Sequence, residues 1–186
     1  MPLTLPINGR DGYDYVKEEF VSVPSQTVIL EHCLNSLFKW EGIWKKPFLS
    51  KDNKTDAELR SYIQCMVVNE DEVDMNFIVC LSNSDLKQIT NYITTSQTAT
   101  TIHPVKKRKS GPIVNEVLTA ELIFYYMGQA KIPFEPCSSW HLTRLMAILG
   151  VAAEKAEPPT KIPKGKWASQ QRSLNAARRA KARSHG

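Results

Sequence analysis

The chain has 186 residues, 42% apolar and 23% charged, with 24 Lys and Arg against 19 Asp and Glu for a formal charge of +5. That length suits one ordinary domain with a tail, and the composition is close to a soluble globular average, which argues against both a multidomain enzyme and a disordered polymer. No apolar run reaches the ~18 residues that span a bilayer, and Met1 to Pro6 offers no basic flank before a long apolar stretch, so the expectation is a protein neither secreted nor membrane-embedded.

Leu3-Thr4-Leu5-Pro6-Ile7 is apolar at alternating positions, and the turn formers of Asn8 to Gly12 follow it. A small hairpin with Tyr13 to Val16 as its return strand fits, with Pro6 confining the first strand to an edge. Ile29, Cys33, Leu37 and Trp40, with Leu30, Leu34 and Phe38 beside them, recur at helical spacing and predict a first helix over about 25–40, closed by Gly42 and Pro47. Thr55-Asp56-Ala57-Glu58 has the spacing of a capping box, and Leu59, Tyr62, Ile63 and Met66 continue the inner face of the helix it opens.

Between residues 70 and 81 the alternation of Val73, Met75, Phe77, Val79 and Leu81 suits a strand, yet Ile78 and Cys80 fill the gaps and a short buried helix fits equally. Ser82 or Ser84 can cap the next helix, with Leu86, Ile89 and Ile93 on one face and an end near Thr95. Residues 94–112 read as an exposed linker loop, holding His103-Pro104, the cluster Lys106-Lys107-Arg108-Lys109 and Ser110-Gly111-Pro112. Apolar density predicts a buried helix over 114–127, with Gly128 as its cap and an extended connector at Pro133 and Pro136. A last core helix from Ser138 or Ser139 places Leu142, Leu145, Met146 and Leu149 on one face, and Pro158, Pro159 and Pro163 close the domain.

All 19 acidic residues precede Lys161, so residues 1–160 hold 16 basic residues for a net −3, whereas 161–186 hold eight basic residues and no acid, a net +8. Such an arm is extended by self-repulsion and seeks phosphate or an acidic protein face. Lys161, Lys164, Lys166, Arg172, Arg178, Arg179, Lys181 and Arg183, with Trp167 among them to stack or insert, are the candidate partner- or phosphate-binding residues, joined by Lys106, Lys107, Arg108 and Lys109. Residues 170–183 tolerate helix, but the apolar face is too narrow to fold without a partner surface.

The residues that carry chemistry do not assemble into a reaction. Cys33, Cys65, Cys80 and Cys137 stand singly and read as free thiols in a reducing compartment, and His32, His103, His141 and His185 are scattered, so no metal site is indicated. His32 and Cys33 would point about 100° apart on a helix and cannot act together. Trp140, His141 and Arg144 are the most enzyme-like grouping, but a Trp and a His opening a helix more often anchor it to the preceding loop. The acidic runs look like solvated surface, and no Gly-Lys-Ser or Gly-Lys-Thr loop is present. The bulky residues of Phe38-Lys39-Trp40, Trp44, Pro47-Phe48-Leu49 and Ile132-Pro133-Phe134 are core in part, and any that stay exposed make an anchor-rich patch for a partner.

A resemblance covers residues 36–186. Phe38-Lys39-Trp40 followed by Lys46-Pro47-Phe48-Leu49, Tyr62-Ile63-Gln64-Cys65-Met66, Thr98-Ala99-Thr100, Thr119-Ala120-Glu121-Leu122-Ile123, Ile132-Pro133-Phe134-Glu135, Trp140-His141-Leu142 and Leu174-Asn175-Ala176-Ala177-Arg178-Arg179 together resemble small structural or assembly proteins of tailed bacteriophages, of the tail or baseplate group. The resemblance implies a non-enzymatic virion or assembly role without cofactor, metal or catalytic residue. The partners it implies are other phage structural proteins, in the virion or in the host cytoplasm during assembly. The expectation is then a mainly α single helical domain, residues 1–157, of about five helices with a small N-terminal β element, followed by a basic arm, 158–186. A nucleic-acid-binding accessory protein that uses the arm is the alternative, and neither reading involves a membrane or a small-molecule substrate.

Overall fold

In the computed structural model the described residues are 1–14, 17–100, 117–156, 171–175 and 178–179. They are mainly helical, with a β element at the N-terminus, and the chain divides into two units, Met1–Glu154 and Lys155–Gly186.

The first thirty residues fold back on themselves once. Strands β1 (Leu3–Ile7) and β4 (Gln26–Leu30) pair antiparallel from Leu3↔Leu30 to Ile7↔Gln26, and β2 (Arg10–Asp14) and β3 (Glu19–Val23) pair from Arg10↔Val23 to Asp14↔Glu19. The same register runs through both ladders, so they form one ribbon interrupted at 8–9 and 24–25, where the Gly9 N–H donates to Ser25 Oγ at 2.8 Å. Leu5, Ile7, Val28 and Leu30 are buried on the inner face and Thr4, Pro6 and Thr27 face outward, the two-residue period of a half-buried strand. Asn8 to Gly12 is therefore not a turn, and of the expected return strand Tyr13 and Asp14 pair with Phe20 and Glu19 instead, while residues 15–16 lie outside the described residues. Pro6 does sit on an edge, since β1 has β4 as its one strand partner.

The predicted first helix is corrected at both ends. Gln26–Leu30 is strand, because pairing with β1 offers a backbone partner to every second residue and buries Val28 and Leu30 as well as a helix would. Helix α1 runs Leu34–Trp44, through Gly42, and stops where Lys45 takes the left-handed conformation (φ 53°). Leu34, Leu37 and Trp40 are fully buried. Helix α2 (Asp56–Cys65) opens on the expected capping box, with Thr55 Oγ1 accepting from Glu58 N–H and the Glu58 carboxylate accepting from Thr55 N–H. Lys46 and Thr55 hold that carboxyl down at about 2, and two indoles fasten α1 to α2, Trp40 Nε1 donating to Glu58 O and Trp44 Nε1 to Ser61 Oγ.

Residues 70–80 are neither strand nor α-helix but two 3-10 segments, Glu70–Glu72 and Met75–Cys80, the second burying Phe77, Ile78 and Cys80. The ribbon lies on this second segment so closely that a Cβ on Gly12 would stand 2.8 Å from Cys80 Sγ and 3.2 Å from Val79 Cγ1. Arg10 extends from the ribbon to Asp85 at 2.9 Å, the residue that also completes the Ser82 capping box of helix α3 (Asn83–Thr94).

Helix α4 is Ala120–Gln129, later than predicted and with Gly128 inside it. A single turn, α5 (Phe134–Cys137), precedes α6 (Leu142–Ala156), where Leu142 and Leu145 are buried and Met146 and Leu149 pack on the core. All four cysteines are free and buried, and no helix among the described residues is long and apolar enough to cross a membrane.

Gly12→Ala is expected to destabilise the fold by about 1–3 kcal/mol in urea denaturation, the usual cost of overpacking. The same substitution in a Cys80→Ala background should cost measurably less; an equal cost in both backgrounds would rule out the close approach as its cause.

Candidate interaction surface

Of the candidate binding residues singled out by the sequence, Lys106, Lys107, Arg108, Lys109, Lys161, Lys164, Lys166, Trp167, Lys181 and Arg183 lie outside the described residues. So do most of the 94–112 linker and most of the arm. Arg172 sits in the helical stretch 171–175 and Arg178 and Arg179 in the helical pair 178–179, all three exposed.

The enzyme-like groupings converge. His32 follows β4 and His141 precedes α6, 109 residues apart in sequence, yet their rings meet edge to face with centroids 5.3 Å apart and each residue 4% exposed. The Tyr62 hydroxyl lies 2.5 Å from His32 Nδ1, and the Tyr92 ring packs 5.0 Å from His141 while its hydroxyl reaches Glu31 Oε1 at 2.6 Å. Burial, and then the neighbouring His141, lower His32 to about 4. Burial likewise lowers His141 and raises Tyr62 well above its ordinary value. The Cys33 thiol is turned to Ser36 Oγ at 3.3 Å, and Ser36 Oγ donates to Glu31 O at 2.8 Å. The two imidazoles are closed in by the rings of Tyr62 and Tyr92, and the Arg144 guanidinium stacks 4.6 Å over Trp140.

Beside this junction a groove of about 510 Å³ is lined by Pro2, Glu31, Cys33, Ser36, Cys65 and Ser139 among others, with Lys39 and Glu70 ion-paired at its edge. Burial raises the Cys65 thiol, which leaves it a poor nucleophile. No group of three metal-ligating side chains occurs among the described residues.

The surface that stands out lies on α4. Ala120, Ile123 and Met127 occupy its buried face, while Phe124, Tyr125 and Tyr126 are 50%, 55% and 40% exposed. Phe124 forms a triangle with Phe38 of α1 at 6.5 Å and Phe134 of α5 at 5.2 Å, with Phe38 and Phe134 6.4 Å apart, and Tyr125 and Tyr126 meet edge to face at 5.6 Å. The helix is held from its first residue. Thr119 Oγ1 accepts from Leu122 N–H at 3.3 Å, and Glu41 Oε2, from α1, accepts from Ala120 N–H at 2.8 Å. Glu41 Oε1 takes the Phe48 N–H at 2.9 Å.

The reading of 114–127 as a buried helix is thus corrected: one face is buried and the aromatic one is not. The signal was present, because Phe124, Tyr125 and Tyr126 are consecutive, and three successive helical positions sweep about 200°, too wide for one packed face. Phe38 and Phe134, named as partner anchors if exposed, are half-buried members of this patch, whereas Trp40 is fully buried and Phe48 stacks on Tyr62 at 3.6 Å. Away from α4, Phe20 is 84% exposed near the end of the ribbon and paired with Tyr13 at 5.0 Å.

Comparison with known proteins finds no matching family model, no matching curated protein and no matching solved structure.

Glu41→Ala removes the acceptor of two backbone N–H groups, and urea denaturation should show a loss of about 2–3 kcal/mol. A loss below about 0.5 kcal/mol would mean that α4 is placed by apolar packing alone.

Proposed function

We propose that the protein is a non-enzymatic structural or assembly component of a bacteriophage tail or baseplate, binding neighbouring virion subunits in the virion or in the host cytoplasm during assembly. The aromatic face of α4 is the seat for one of those subunits in this reading. The observation that carries it is the exposure of Phe124, Tyr125 and Tyr126 on a helix whose backbone is fixed by Glu41. Large aromatic rings on a rigid helix lose little conformational freedom on binding and remove much apolar area from water, the combination found at binding hot spots. A triangle of three phenylalanines beside them extends the apolar patch.

The basic arm adds a long-range component. Eight basic residues and no acid over residues 161–186 attract an acidic subunit face and speed encounter, while the aromatic patch supplies the short-range contact. The same eight charges favour a second reading, a nucleic-acid-binding accessory protein. Phosphate contacts weaken steeply with salt through counterion release, whereas an aromatic-anchored protein contact does not.

The test is affinity capture from nuclease-treated phage-producing lysate with the full chain, the Phe124→Ala/Tyr125→Ala variant, and the chain with all eight arm charges replaced by Gln. Tail or baseplate subunits should be retained after nuclease treatment and at 0.5 M salt, roughly three times physiological ionic strength. The α4 variant should lower that retention at least tenfold with little change in thermal midpoint, since both side chains are half-exposed. Retention that vanishes on nuclease treatment, or in the arm variant alone, would move the function to nucleic-acid binding.

A further inference from the structure

The first turn of α6 is fastened to the β4–α1 connection at one place. Leu142 N–H donates to His32 O at 2.7 Å, and His141 and Cys33 form an isolated antiparallel bridge. Inside this junction both imidazoles are held as proton acceptors at Nδ1. The Tyr62 hydroxyl, which burial keeps protonated, donates to His32 Nδ1. His141 Nδ1 accepts from Thr143 N–H at 3.3 Å and lies 2.8 Å from Thr143 Oγ1. Gln97 N–H donates to Thr143 Oγ1 at 3.1 Å, leaving the hydroxyl proton free to point at the ring. Each neutral ring is therefore assigned its proton on Nε2, and His141 Nε2 is buried with no hydrogen-bond partner among the described residues.

We propose that His32 and His141 form an acid-sensitive latch: protonating either imidazole releases the start of α6 from the β4–α1 connection while the ribbon and α1 to α3 remain folded. A proton at Nδ1 turns an acceptor into a donor: at His141 it faces the Thr143 N–H, which cannot reverse, and at His32 it reverses the Tyr62 contact, so the buried Tyr62 hydroxyl proton gives up its acceptor. The second imidazole, 5.3 Å away, offers no negative charge.

The groups facing the pair come from every element packed on it: Glu31 from the end of β4, Cys33 at the start of α1, Tyr62 from α2, Tyr92 and Gln97 from α3 and its end, Thr143 from α6, and the Met1 ammonium, which donates to Gln97. Glu31 and Tyr92 favour a charged His141, but burial is the largest influence and opposes it, as does the Met1 ammonium. A histidine whose value falls below 6.5 on folding binds protons more readily in the released state. The attachment is at full strength above about 6.5 and weakens as pH falls from there toward about 4, the value of His32 in the closed state.

Hydrogen exchange on the full chain at pH 7 and pH 5, corrected for intrinsic rates, tests this. Protection of α6 amides should fall at least about tenfold more than protection of the β1 and β4 amides. In the His32→Asn/His141→Asn variant, which keeps an acceptor oxygen near each Nδ1 position but cannot take up a proton, the extra loss should disappear. Equal losses in α6 and the ribbon, or an undiminished α6 loss in the variant, would overturn the latch. Should the variant not fold, histidine proton titration by NMR on the wild type decides: midpoints for both rings below 6.5 that coincide with α6 release support it, and midpoints at or above 6.5 sink it.

Discussion

The fold turns on the buried carboxyl group of Glu41. Glu41 is 7% exposed, and its two carboxylate oxygens accept from Phe48 N–H and Ala120 N–H, groups that belong to different stretches of chain. A carboxylate out of water is costly unless its oxygens are hydrogen-bonded, and here each has a backbone donor. The Ala120 bond lies at the N-terminus of α4, where the helix dipole adds to the attraction. The same carboxyl group thus closes the 46–50 connector over Trp40 and fixes where α4 begins. Everything α4 presents to solvent depends on that registration, since a shift of one residue along the helix rotates Phe124, Tyr125 and Tyr126 by about 100° relative to α1.

The polar junction at His32 and His141 is also met by donors. Backbone N–H donors meet both oxygens of the Glu41 carboxyl; donors also meet both imidazoles, at Nδ1, and Glu31 is already engaged by Tyr92. Donors disfavour a protonated imidazole, so this pattern of N–H and O–H groups holds the histidines uncharged until the pH falls. Both sites join segments far apart in sequence, β4 to α6 and α1 to α4. Apolar burial alone specifies the relative placement of such segments loosely, whereas directional bonds narrow it to one arrangement.

What could be read in advance follows from the range over which each interaction acts. The Thr55–Glu58 and Ser82–Asp85 boxes span three residues, and both fold as their spacing predicts. The inner face of α6 was legible for the same reason, as Leu142 and Leu145 are buried by helical periodicity. Gln26–Leu30 was not, because Ile29, Cys33, Leu37 and Trp40 satisfy a helical period while the ladder to β1 that overrides it starts 23 residues earlier. The segment 70–80 carries two overlapping periods, and its 3-10 geometry lets Phe77, Ile78 and Cys80 turn inward without a full helix. Glu41 and the histidine pair were invisible, since a single Glu or His has no period, and only the folded chain brings their partners within reach.

The exposed aromatics are what remains when the core's requirements are met. Ala120, Ile123 and Met127 bury the inner face of α4, while Phe124, Tyr125 and Tyr126 leave much of their rings in solvent. Leaving them in water sacrifices transfer free energy that burial would return, on the order of 1 kcal/mol or more per ring. A polar residue at each position would serve the isolated domain as well or better. The ribbon repeats the pattern, with Phe20 84% exposed near its end while Val23 of the same strand is buried. Binding contacts joined on one chain reinforce one another through effective concentration. Exposed aromatic clusters on a fixed helix are the kind of surface on which protein interfaces are built.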